Sequence, residues 1–111
     1  MNVMPTGLGP VSRPLVRDFE GSGTIVMRVN SRTEVRSLAG AIAKGMRTRR
    51  PVQLAAVGQD ACYRAIKALA TAHEFLLDEA VVLRTEIVWR LYVIDGQERT
   101  GLEFRLEARD V

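Results

Sequence analysis

The sequence predicts a two-layer α/β domain in the order βαβαββ, with one mixed sheet and two helices on one face. Three observations predict it. Asp95-Gly96 stands between alternating apolar stretches, a strong signal for a two-residue hairpin turn in which both central residues take positive φ. Two β-branched or apolar runs, 24–29 and 52–57, are each followed by a segment with apolar residues at helical spacing. A parallel βαβ crossover is right-handed in nearly all proteins, which places both crossing helices on the same side of the sheet.

The first strand is predicted over Thr24 to Val29. Ser31-Arg32-Thr33-Glu34 fits the capping box S-x-x-E, with Ser31 accepting from the first turn and Glu34 reaching back. The helix that follows carries Val35, Leu38, Ala39, Ile42 and Met46 on one face, and Pro51 ends it. Gly40 and Gly45 weaken an isolated helix, and close backbone packing would account for both. The second strand runs from Val52 to Val57, and Gly58 turns it into a helix from Gln59 to Phe75. That helix has a core stripe of Cys62, Ile66, Leu69 and Phe75, with Ala61, Ala65, Ala68 and Ala72 beside it as a small ridge for close approach. Strands three and four are Val81 to Ile94 and Gln97 to Ala108.

The hairpin turn fixes a register. Ile94 faces Gln97; Trp89 then faces Leu102 and Ile87 faces Phe104 on one side, with Trp89 expected to be buried. On the other side Glu86 meets Arg105 and Arg84 meets Glu107. Val88, Tyr92 and Ile94 fall opposite Trp89, on the face the chain's own helices do not cover. Contact with another copy, as a homodimer or homotetramer, is the simplest account of three apolar residues there.

Composition narrows the classes. With 111 residues, 47% of them apolar, and a mean hydropathy near zero, the chain is one domain able to build a core. Residues 1–22 carry Pro5, Gly7, Gly9, Pro10 and Pro14 and are expected to be a flexible N-terminal arm before a domain over 23–111. The start lacks the pattern of a signal peptide and no apolar run approaches a membrane span, so a cytoplasmic location is expected.

One cysteine and one histidine argue against a disulfide framework, a metal site or a nucleophile–base pair. Cys62 and His73 stand about 16 Å apart along one helix axis. No catalytic constellation, metal or cofactor is expected. Gly40 and Gly45 have half of a P-loop spacing but are followed by Met46-Arg47 inside a helix.

The charge is asymmetric. Residues 1–70 hold 11 Lys and Arg against 4 Asp and Glu, whereas residues 71–111 hold 5 against 9. A basic half can meet a polyanion or another subunit's acidic half. Arg28, Asn30, Ser31 and Arg32 cluster where the first strand meets the first helix, whose N–H groups would suit phosphate. Arg36 and Arg47 follow close to the same helical face as Arg32, and these three, with Arg28 nearby, make a candidate phosphate-facing surface. Arg90 and Arg99 stand on the hairpin, Arg99 opposite Tyr92.

Four segments resemble the bacterial stage V sporulation protein S family, small proteins of the Alba superfamily. They are Ala39-Gly40-Ala41-Ile42-Ala43, Ala56-Val57-Gly58, Ala65-Ile66-Lys67-Ala68 and Ile94-Asp95-Gly96-Gln97-Glu98-Arg99-Thr100. The resemblance implies an Alba-like fold, self-association and binding of nucleic acid, DNA or RNA, linked to regulation of development, with no catalytic activity. It also implies that nucleic acid meets the turn at Asn30, Ser31 and Arg32 and the hairpin at Arg90 and Arg99. The alternative is an interaction protein that assembles through the same fold without nucleic acid.

Overall fold

The computed structural model describes residues 23–110. The expected arm at residues 1–22 lies outside them. The elements are β1 (Ile25–Val29), α1 (Val35–Arg47), β2 (Val52–Ala56), α2 (Gln59–Leu76), a 3₁₀ turn (Leu77–Glu79), β3 (Val81–Ile94) and β4 (Gln97–Asp110). The sheet order is β1-β2-β4-β3, with β1 and β2 parallel and the other pairs antiparallel. This is the predicted βαβαββ two-layer arrangement, consistent with an Alba-like fold.

The hairpin follows the predicted register without a bulge, from Ile94 opposite Gln97 to Val81 opposite Asp110. Asp95 (φ 51°) and Gly96 (φ 77°) both take the left-handed conformation that a tight hairpin turn requires. Alternation then divides the sheet. Val29, Leu54, Phe104 and Leu106 face the helices and are buried with Ile42 and Met46 of α1. Arg28, Ala55, Glu103 and Tyr92 face the open side, because opposed residues share a face.

Helix α2 corrects the expected stripe. Ala61, Ala65, Ala68, Ala72 and Leu76 form its buried line, while Cys62, Leu69 and Phe75 are only partly covered and Ile66 is exposed. The alanine ridge sets the contact, since small side chains let the helix approach the layer below closely. In α1, a Cβ on Gly45 would stand 2.7 Å from Val52 Cγ2, so glycine is needed there for the helix to lie against β2. Gly40 has open space around it, and close packing does not explain it. The helix ends before Pro51. Arg49 takes φ 61° while its N–H and that of Arg50 donate to the Met46 and Gly45 carbonyls, which closes the last turn.

Trp89 faces the helix side opposite Leu102, as the register requires, but it is 39% exposed. Ile87 (53%) and Val93 (50%) are exposed in the same row. The expectation of burial fails because β3 is the outer strand of the sheet and the core covers only its start, at Val81 and Leu83. On the open side, Tyr92 is only 2% exposed, covered by its own chain and not awaiting a partner.

Candidate nucleic-acid interface

The open face is organised by Glu103. Its carboxylate is 8% exposed and accepts from Arg90 Nε at 2.9 Å and from Arg105 Nε at 2.6 Å. Arg105 also reaches Glu86 at 3.4 Å, the pair expected from the register. The hydrogen bond to Glu103 raises the Arg105 pKa. Arg84 stands opposite Glu107 as expected, but Glu107 pairs instead with Arg109 at 3.7 Å, two residues along the same strand and face. Arg90, a candidate for nucleic acid, is thus engaged by a buried carboxylate.

Beyond this network, towards the hairpin tip, lies an open concavity of about 440 Å³ lined by Arg28, Asn30, Val57, Tyr92, Ile94 and Arg99, among others. It joins residues that are far apart in the sequence: Arg28 from the end of β1, Asn30 from the following turn, and Arg99 from the start of β4. Among the described residues its lining holds no carboxylate. Gly101 shapes the region. A Cβ there would meet the Ala56 carbonyl oxygen at 2.5 Å and Tyr92 Cε2 at 3.0 Å, so its absence lets the tyrosine ring lie across β4 towards β2. The Tyr92 hydroxyl donates to the Leu102 carbonyl at 3.4 Å. Burial first, and then the negative charge of Glu103, push its pKa upward, so the ring is a neutral wall.

The turn beside the concavity is tied by Asn30. Its Oδ1 accepts from the Arg32 N–H at 2.7 Å, and its own N–H donates to Thr33 Oγ1 at 2.9 Å. Ser31 and Arg32 are exposed on that turn. The capping box expected from Ser31 is not formed. Glu34 is the N-cap, accepting from the Ser37 N–H at 3.0 Å and from the Ser37 hydroxyl. These bonds hold its carboxyl below the usual glutamate range, the hydroxyl contributing most. A carboxylate of the chain itself therefore occupies the positive end of α1, where phosphate was expected.

The other arginines of the expected helical surface separate. Arg32 precedes the helix, Arg36 lies over the Phe75 ring with 5.7 Å to its centroid, and Arg47 is bonded to Glu79 at 3.0–3.1 Å. The side chains of Arg28 and Arg99 have no hydrogen bond or ion pair to the described residues. Of the residues expected at an interface between copies, Tyr92 and Ile94 line the concavity and Val88 lies farther down β3 on the same face. Sequence reading missed the Glu103 hub and the concavity. A glycine within an alternating strand, at 101, was the available signal for close approach.

Two guanidinium groups without a partner among the described residues, over a neutral wall, suit an anion that can be gripped bidentately, as phosphate is. Cys62 lies on the helix side, where burial raises its thiol pKa and the group donates to the Ala56 carbonyl at 3.7 Å. Compared with family models, residues 25–109 match the one described as stage V sporulation protein S (SpoVS).

Proposed function

The chain belongs to the stage V sporulation protein S family, and from that premise we propose that it is a non-enzymatic, oligomeric regulator that binds nucleic acid in the cytoplasm. Among the described residues no helix is long and apolar enough to cross a membrane. The observation that carries the binding reading is the concavity at the hairpin tip, where Arg28 and Arg99 converge without a carboxylate among the lining residues. Arg32 extends the same positive edge from the adjoining turn. Phosphates of DNA or RNA are the anions that a row of unpaired arginines on an open surface fits.

The test is a fluorescence-anisotropy titration with duplex DNA and with single-stranded RNA at about 50 and about 200 mM salt. Binding should weaken steeply at the higher salt. Arg28→Ala combined with Arg99→Ala should lower affinity for all sequences alike and flatten the salt slope by up to about 2. Wild-type protein that binds neither nucleic acid at low salt would overturn the reading and leave assembly alone as the function. That second reading has its own support in the exposed row of Ile87, Trp89 and Val93.

A further inference from the structure

The concavity at the hairpin tip contains more than a phosphate site requires. Arg28 is level with Ala55 and Glu103 in the register, and Arg99 lies four residues from Glu103 along β4. With β2 between their strands, their Cα atoms are about 17 Å apart at ordinary strand spacings. The two arginines therefore stand on opposite rims. Between them lie Ala55, Val57, Ile94 and the neutral Tyr92 ring, which are apolar.

A phosphate gripped by one arginine leaves the other arginine and this floor unused. An apolar floor between cationic rims fits a ligand with a flat apolar body and a negative charge at each end. A nucleotide inside a strand is such a ligand, with one phosphate before its base and one after. In a duplex the base faces are stacked on their neighbours, and the backbone is what meets a protein surface. In a single strand a base can leave the stack and lie on a protein, including against the guanidinium plane of arginine.

Asn30 supplies a polar contact for such a base. Its Oδ1 is held by the Arg32 N–H at 2.7 Å and by the Thr33 hydroxyl at 3.4 Å. Its Nδ2 has no partner among the described residues and remains a donor at the edge of the concavity. Ring nitrogens and carbonyl oxygens of bases accept from such a donor.

We infer that the concavity takes one unstacked base of a single-stranded nucleic acid, with the flanking phosphates on Arg28 and Arg99. The inference rests on the proposed nucleic-acid binding and narrows its ligand to single strands.

The experiment titrates the full chain by fluorescence anisotropy at about 50 mM salt. The probes are a labelled single strand, the same strand annealed to its complement, and the same strand with abasic sugars throughout, each in RNA and in DNA. Charge alone ranks the duplex first, because its phosphates are the densest along the axis. The base site reverses that order. In the backbone that binds more tightly, the base-bearing single strand should exceed both the duplex and the base-free strand by about tenfold. Ala55→Leu puts a larger side chain on the floor and should bring the base-bearing strand down to the affinity of the base-free one. The probe comparison needs no altered protein, so it decides even where Ala55→Leu does not fold. A wild-type chain that binds none of the probes would overturn nucleic-acid binding and the base site together. A duplex or base-free strand bound as tightly as the base-bearing single strand would overturn the base site and leave phosphate binding standing. A folded Ala55→Leu that keeps the full preference would overturn the site at this concavity.

Discussion

Two concavities lined by described residues lie on the open face of the sheet, and they differ in what their arginines meet. The larger, about 610 Å³, lies at the end of the face where β2 begins, and its lining mixes Arg49, Arg84 and Arg105 with Glu86 and Glu107. The smaller lies at the hairpin tip, and its described lining residues include Arg28 and Arg99 and no carboxylate. Arginine count therefore does not identify a binding surface. A guanidinium already paired with carboxylate is poorly placed to accept phosphate, whereas one without a partner is available. Between the concavities Glu103 and its two arginines make the divide.

Four changes break or sharpen this contrast, and the largest effect is expected at Gly101. Gly101→Ala forces a methyl group against the Ala56 carbonyl oxygen and the Tyr92 ring. It should lower unfolding free energy by about 3 kcal/mol in urea denaturation, because the nearest contact is backbone that has little room to yield. A loss near zero would mean that Tyr92 does not lie across β4. Next is Glu103→Gln, which leaves Arg90 and Arg105 without their shared anion. With both arginines partly solvated, a cost of about 2 kcal/mol is expected, below that of a fully buried pair. Stability unchanged within error would show that the divide is not structural.

The third change compares cations. Arg28→Ala should remove roughly one unit of salt slope from nucleic-acid binding. Arg84→Ala, which removes a cation flanked by Glu86 and Glu107, should leave the slope where it was. Equal losses from the two variants would indicate a diffuse charge effect instead of a site. The smallest effect concerns Glu34. Its carboxyl titrates below the usual glutamate value, so the stability that it contributes is present above that value and lost as pH falls through the lowered one. Amide protection in the first turn of α1, relative to intrinsic exchange at the same pH, should fall in acid, and Glu34→Gln should abolish that acid-linked change. A wild-type pH profile identical to that of the variant would remove the cap from the account.

Much of the fold was legible in the residues. Asp95-Gly96 set the hairpin register to its last pair, because a two-residue turn leaves no slack. The apolar periodicity of α1 located Leu38, Ile42 and Met46 in the core. What could not be read was the order of strands across the sheet. Placing β3 at the edge exposed Trp89, although its face and partner were as expected. The candidate site was legible as a set of residue types and not as a place. Arg28 and Arg99 become neighbours only through tertiary contact, and Arg36 and Arg47 were claimed by Phe75 and Glu79 from elements distant in the chain. Local competition explains the shifted cap, since Asn30 and Thr33 bond each other and leave Glu34 to start the helix.

The strand order has a consequence for how the chain reaches this state. β4, the last of the described elements, fills the slot between β2 and β3. The hairpin and both helices close through near neighbours, whereas joining Val52 to Leu106 closes half the chain at once. That docking is the step with the largest loop-closure entropy and so the natural candidate for the slow one. A nascent chain that stops before β4 has its parallel pair and its helices but no centre to the sheet. The domain is thus completed only when β4 has left the ribosome.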